Sequence, residues 1–243
     1  MSKAGVFTVQ HDEHFFLPMW IKYYSKNFDY RDMYIIAHNC TELTEKTLQW
    51  AESVGINVER VYTDEIFNHD WLNDTVHNMQ ERMLNKYEYF VFTDCDEFIV
   101  PEQYSLREFI ENASDEAYRC IGFNIISGRM RNESVFNKTL ISRVPLKYAH
   151  GYHTSVPEFA VNNDLKLYHL HYVNYDMAWN RNLRLATKNW NAEAISKNLS
   201  SQNQINLEHE FREHFNANIQ SSIELHPSAL GLLETVYPDG ING

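Results

Sequence analysis

Tyr89-Phe90-Val91-Phe92-Thr93-Asp94-Cys95-Asp96-Glu97-Phe98-Ile99-Val100-Pro101 is the stretch whose reading decides the fold. A run of aromatic and β-branched residues reads as a buried strand, and this one stops abruptly at Asp94, Asp96 and Glu97. In an open α/β sheet the ligand crevice lies outside the carboxyl ends of the strands, so Asp94 and Asp96 are delivered to where ligands bind. If the chain stays extended, their i, i+2 spacing points both carboxylates to one side. Carboxylates held together repel unless a proton or a cation sits between them, and hard oxygen ligands suit Mg²⁺ or Mn²⁺. A metal-bound diphosphate is the economical reading. The competing one is a polar turn in which one carboxylate caps a following helix.

Working back from this strand, residues 4–10 read as a first strand, followed by the polar cluster Gln10-His11-Asp12-Glu13-His14 and a helix over 17–26 with Pro18 near its start. A strand over 33–38 ends at Asn39, and a helix over 44–53 is terminated by Gly55. Residues 57–62 form a third strand and 71–85 a helix with Val76, Met79, Met83 and Leu84 on one stripe. Strands alternating with helices in this way predict a parallel, right-handed βαβ layout. Neither a Gly-x-Gly-x-x-Gly turn nor a Gly-x-x-x-x-Gly-Lys loop occurs, so phosphates must be held in another way.

Working forward, a short helix over 105–112 and a strand over 120–127 precede a polar, basic region, 129–144, with Arg129, Arg131, Lys138 and Arg143. Residues 148–154 are rich in Tyr and His. The stretch 166–173 alternates as a strand does and places His169 and His171 on one face, where they could join the acids at a metal or form the polar face of an edge strand. A helix from about 177 carries Arg181, Arg184 and Lys188 at i, i+3 and i+7, either a phosphate-contacting stripe or a solvated face. A helix over 202–215 follows, and 227–243 shows no clear period, as an adaptor, linker or frayed end would not.

A chain of 243 residues is long enough for one large α/β domain with a C-terminal appendage. Its net charge of −12 argues against a nucleic-acid partner, whose phosphates need Lys and Arg. Aromatic content of 14 % suits sugar faces as well as ordinary core. Three cysteines without metal-finger spacing, no signal-like N-terminus and no apolar run of membrane-spanning length predict a cytoplasmic protein without a membrane span. The Asn-x-Ser/Thr triplet at Asn39, just after a strand, is poorly placed for a glycan and points the same way.

The assembled pattern resembles the GT-A-fold glycosyltransferases, particularly a small family-2-like group with an Asp-x-Asp-Glu-Phe motif. The resemblance rests on Leu17 to Tyr24, on Met33 to Asn39, on Phe92 to Pro101 and on His171-Tyr172 followed by a basic helix, and it covers roughly residues 4 to 190. It departs at Gln10-His11-Asp12-Glu13, where the group has Asn-Glu, and at Met19, where the group has Glu.

The resemblance implies a GT-A (Rossmann-like) α/β fold, with a mixed, mainly parallel sheet flanked by helices and a C-terminal helical segment. The catalytic domain would span 1–200, with a nucleotide half over 1–101 and an acceptor half over 102–200, leaving 201–243 as helix and tail. It also implies transfer of a sugar from a nucleoside diphosphate sugar, UDP-linked by preference, to a hydroxyl of a glycan or glycoconjugate, with inversion, in polysaccharide or glycoconjugate synthesis. Further domains or membrane-associated assembly partners are compatible with it. Asp94 and Asp96 would hold Mn²⁺ or Mg²⁺, with His171 or His169 completing the shell. Arg184 and Lys188 would bind phosphates, and Gln10, Glu13 and Asn39 the base and ribose. Glu158, with His153 as alternative, is the candidate base for the acceptor hydroxyl, and Glu97 is either catalytic or a structural support of the acidic turn. Two rival classes are a metal-dependent phosphohydrolase, disfavoured because Glu97-Phe98 follows Asp96 where Gly-Thr is usual, and a non-catalytic sugar- or nucleotide-binding module.

Overall fold

The structure, a computed structural model, describes residues 2–63, 69–186, 192, 196 and 207–237. Its first hundred residues follow the alternating pattern. Strand β1 (Ala4–Gln10), helix α1 (Phe16–Tyr24), β2 (Met33–His38), α2 (Glu42–Ser53), β3 (Asn57–Val61), α3 (His69–Leu84) and β4 (Tyr89–Phe92) build a parallel block in the order β3-β2-β1-β4. Its central strands, β1 and β4, are buried almost throughout, which is why they read as continuous apolar runs. Gly55 ends α2 in the left-handed conformation at φ 97°, with its N–H on Glu52 O at 3.0 Å and that of Ile56 on Ala51 O at 3.0 Å, a cap that few residues but glycine adopt without strain.

Helix α1 fixes the acidic turn. Phe16, Leu17, Trp20, Ile21, Tyr23 and Tyr24 are all buried, each contributing about 1.5–3 kcal/mol of apolar burial. Their polar tips are spent on the neighbouring backbone and turn. Trp20 Nε1 donates to Thr93 Oγ1 at 2.8 Å, and the Tyr23 and Tyr24 hydroxyls donate to Ile99 O at 2.7 Å and Glu97 O at 3.2 Å.

Beyond the acids the chain does not enter a helix. It turns into β5 (Glu97–Pro101), and the sheet continues with β6 (Ala117–Ile126), β7 (Arg129–Asn132) and β8 (Thr139–Ser142) after the short helix α4 (Leu106–Glu111). Strand β8 runs antiparallel between β4 and β6, and β7 is antiparallel on β6. A two-stranded ribbon, β9 (Lys147–Tyr148) and β10 (Ser155–Val156), precedes the long β11 (Val161–Tyr172), which pairs antiparallel with β5 and parallel with β6. The molecule is therefore a mixed α/β structure whose parallel central block is flanked by helices and extended by antiparallel pairs.

The C-terminal residues are part of this body. After α5 (Tyr175–Ala186) come α6 (Glu208–Gln220), the edge strand β12 (Ile223–Glu224) on β7, and α7 (Pro227–Val236). The expectation of an aperiodic tail over 227–243 is overturned for 227–236, while 238–243 lie outside the described residues. Ala229, Leu232, Leu233 and Val236 recur at i, i+3, i+4 and i+7 and are buried, with Pro227 in the first turn, a pattern that Gly231 disguised. The helix expected over 202–215 appears as α6 from Glu208, while 202–206 lie outside the described residues.

Candidate active site

The carboxyl ends of β1, β2 and β4 open on a cavity of about 160 Å³ lined by Gln10, His11, Glu13, His38, Asp94 and Arg181, among others. This is the crevice position expected of an open α/β sheet. Of Asp94, Asp96 and Glu97 only Asp94 lines it; Asp96 meets it through Arg181, and the arrangement is not the extended one anticipated. Glu97 N–H donates to Asp94 O at 3.1 Å, so the chain turns there; Asp94 and Glu97 share Lys138 while Asp96 meets Arg181.

Asp96 is 1 % exposed, and its Oδ2 lies 2.9 Å from His169 Nε2, 2.7 Å from Arg181 Nη1 and 3.8 Å from His171 Nδ1. Among the described residues Asp96, His169 and His171 form a three-donor group with ligand atoms within 4.8 Å of one another, and Asp94 stands outside it. Burial opposes ionisation of Asp96, but the Arg181 charge and the contacts of the two imidazoles outweigh it and hold the carboxyl well below the usual range. The two histidines share a face of β11, as their alternation required.

His169 is oriented from behind. Asn124 Nδ2 donates to Glu133 Oε1 at 2.8 Å, which fixes the amide so that its Oδ1 accepts from His169 Nδ1 at 2.6 Å. The Nε2 that faces Asp96 is thus the other ring nitrogen, and two lone-pair atoms at 2.9 Å require a proton or a cation between them.

His171 is buried, and burial first and the Arg181 charge second push it down to about 4. The unfolded chain, with an ordinary histidine near 6.5, binds the proton that the folded state refuses between these values. Stability attributable to His171 is therefore full above about 6.5 and lost as pH falls toward 4, by about 3 kcal/mol. Urea unfolding at pH 7 and pH 4.5 checks this: His171→Asn, whose amide oxygen can accept from Arg181, should lose less stability on acidification than the parent, and an equal loss would contradict it.

Asp94, with its side chain 32 % exposed, lies 3.3 Å from Lys138 Nζ, which also donates to Glu97 Oε1 at 2.6 Å. Lys138 and Glu97 side chains are each 2 % exposed. Burial opposes the ammonium, yet the two carboxylates hold Lys138 above its ordinary value; burial pushes the Glu97 carboxyl up, with Lys138 opposing. Glu97 Oε2 has no hydrogen-bond partner among the described residues. These contacts suit a supporting role for Glu97 beneath the turn.

Arg181 and Arg184 tie α5 across the cavity. Arg181 pairs with Glu13 at 3.2 Å as well as with Asp96, and Arg184 pairs with Glu13 at 3.4 Å and donates to Asp12 O. Asp12 in turn accepts from Thr41 N at 2.8 Å and Thr41 Oγ1 at 2.9 Å, joining the β1 turn to the start of α2. Gln10 holds Cys40 and the Glu13 amide at 3.0 and 3.1 Å.

Of the expected residues that are described, only Gln10, Glu13 and Asp94 line this cavity; Asp96, His169 and His171 lie next to its Arg181, and Asn39, Glu158 and His153 are held by other partners. Asn39 bridges to Thr63, accepting from its N–H at 2.8 Å. Glu158 is 68 % exposed and ion-paired with Arg119, and His153 Nδ1 bonds Val135 O at 2.8 Å beside Phe136, so neither is among the cavity-lining residues. Lys188 lies outside the described residues. The sequence reading passed over Arg181 as a central group and did not single out His11, His38 or Lys138 for the site. His38 is the last residue of β2, so the strand-end rule applied to Gln10 would have found it.

No family model matches the sequence, and no curated protein matches it. Among solved structures, the chain is similar to a cytidylyltransferase from Leptospira borgpetersenii serovar Hardjo-bovis, with 12 % identity over 40 % of this chain and 42 % of that one at a TM-score of 0.29. It is similar to the WbbM bifunctional glycosyltransferase in its apo form, with 14 % identity over 49 % of this chain and 23 % of that one at 0.34. HddC of Yersinia pseudotuberculosis matches with 11 % identity over 68 % of this chain and 76 % of that one at 0.36. Likenesses this slight carry no conclusion about activity. Among the described residues, no helix is long and apolar enough to cross a membrane.

Proposed function

We propose that this protein transfers a sugar from a nucleoside diphosphate sugar to a hydroxyl of a glycan or glycoconjugate. The observation that carries the reading is the group of buried Asp96 and His171 with half-buried His169 beside Arg181, which in turn pairs with Glu13 just beyond β1.

Two imidazoles and one carboxylate suit a transition-metal divalent cation such as Mn²⁺ better than Mg²⁺, which prefers oxygen ligands. Its carboxylate is ionised, His171 is neutral, and the second ring nitrogen of His169 is engaged by Asn124, as is usual behind a metal-binding imidazole. Asp96, His169 and His171 would hold the ion, with Asp94 at the cavity wall. Bound there, a divalent cation supplies charge neutralisation for a departing diphosphate.

The chain's own residues do the rest. A cavity of about 160 Å³ is below the roughly 300–1,000 Å³ of sites for cofactor-sized ligands, so a donor would enter only as the site widens, which release of Arg181 from Asp96 and Glu13 would allow. Arg181 and Arg184 then exchange carboxylate partners for phosphates, which guanidinium groups bind in the same forked manner. Gln10 and Glu13, held together at the end of β1, would orient the nucleoside.

Calorimetric titration of the folded protein with UDP and GDP, with and without Mn²⁺, tests this. We expect one nucleotide to bind with a dependence on the metal, and the base that binds selects the donors for turnover assays. If the folded protein binds neither nucleotide under any metal condition, the proposal fails.

A further inference from the structure

A second concave site lies between the outer faces of α1 and α2. Lys22 lines it from α1 and Ser25 from that helix's C-terminal cap, Lys46, Thr47 and Trp50 from α2, and Tyr30 from the turn before β2, around a space of about 460 Å³. On α2 the residues 46, 47 and 50 share one helical face with the exposed Leu43, while the neighbouring face of Thr44, Leu48 and Ala51 is the buried one. Core packing therefore does not account for Trp50. It is 47 % exposed and meets the 39 % exposed Tyr30 edge-to-face, with ring centroids 6.4 Å apart at 81°.

Two features set the chemistry of an occupant. Exposed rings offer flat apolar faces, and Ser25 and Thr47 add hydroxyls beside them. The only charged lining residues are Lys22 and Lys46, neither of them ion-paired among the described residues, in a chain whose net charge is −12. Lysine is depleted from the cores of protein interfaces, which argues against a protein partner seated on these rings. A saccharide ring has apolar C–H faces for Trp50 and Tyr30 and hydroxyls for Ser25 and Thr47, and acidic substituents on it would meet the two ammonium groups.

We propose that the α1–α2 groove binds an acidic saccharide, at a site separate from the cavity lined by Asp94 and Arg181. This assignment stands on the groove's own residues and holds whether or not the cavity transfers sugar.

The test titrates the intact protein with tetragalacturonate and, in parallel, with neutral maltotetraose, followed by calorimetry and tryptophan emission. Tetragalacturonate should bind, more weakly as salt rises. Trp50→Ala and the pair Lys22→Gln/Lys46→Gln should each weaken it about tenfold or more, a change of about 1.4 kcal/mol. Asp96→Asn should leave it unchanged, and UDP should not compete, which separates this site from the nucleotide proposal. Absence of tetragalacturonate binding to the folded protein overturns the assignment, as does binding that survives Trp50→Ala. Equal binding of maltotetraose, undiminished in the lysine pair, overturns the acidic class.

Discussion

Asp96→Asn is expected to remove the Mn²⁺-dependent component of nucleotide binding and to lower sugar transfer by about 10³-fold, the scale of losing a key transition-state electrostatic contact. The exchange preserves shape and deletes one negative charge from a buried set in which Asp96 and Glu13 face Arg181 and Arg184. Arg181 keeps Glu13 at 3.2 Å, so the stability cost should fall toward the low end of the roughly 3–5 kcal/mol for breaking a buried pair. The charge balance yields a sharper readout. With one anion gone, the two guanidinium groups are left in excess, and metal-free binding of UDP should persist or tighten as the metal-dependent part disappears. A variant that loses both components equally while still folded would show that Asp96 only supports the architecture.

Lys138→Met should cost about 3–5 kcal/mol in urea unfolding at pH 7 because it strands the Glu97 carboxylate in the interior. Lys138 Nζ lies 2.6 Å from Glu97 Oε1, and the other Glu97 oxygen has no hydrogen-bond partner among the described residues to take over. The sign of the pH dependence follows. Burial already pushes the Glu97 carboxyl up, and loss of Lys138 removes its largest opposing charge, so the folded pKa rises further above the unfolded value of about 4.3. The folded state then holds a proton that the unfolded chain releases. The deficit should be small near pH 4 and grow as pH rises through the folded pKa. Adding Glu97→Gln should recover more than half of the loss at pH 7; a double variant as unstable as Lys138→Met alone would show that the ammonium supports something other than this carboxylate.

Much of the parallel block was legible because its signals are local. The limits of β1 and β2 coincide with their apolar runs, and Gly55 ends α2 where it was expected to. The alternation of Lys166 to Val173 correctly set His169 and His171 on one face, and that pairing is what brings them to Asp96. The less legible part depends on long-range pairing. Nothing local indicates that Glu97 opens a strand antiparallel to β11, because the hydrogen-bonding partner lies more than sixty residues away. Arg181 is hidden for a related reason. On a helix it reads as one member of a basic stripe, and its burial comes from Asp96 and Glu13, both remote in sequence. Glu158 was nominated for its closeness in sequence to a histidine cluster, but its nearest charged partner is Arg119 on another strand.

The span between partners has a consequence for how the protein is made. Asp94 awaits a lysine 44 residues downstream, Asp96 an arginine 85 residues downstream, and Glu13 the same arginine at a separation of 168. A chain growing from its N-terminus can assemble the β3-β2-β1-β4 block from nearby crossovers while these acids still lack their cations. The scaffold is thus available early in synthesis, whereas the charge-compensated centre can close only after α5 has emerged.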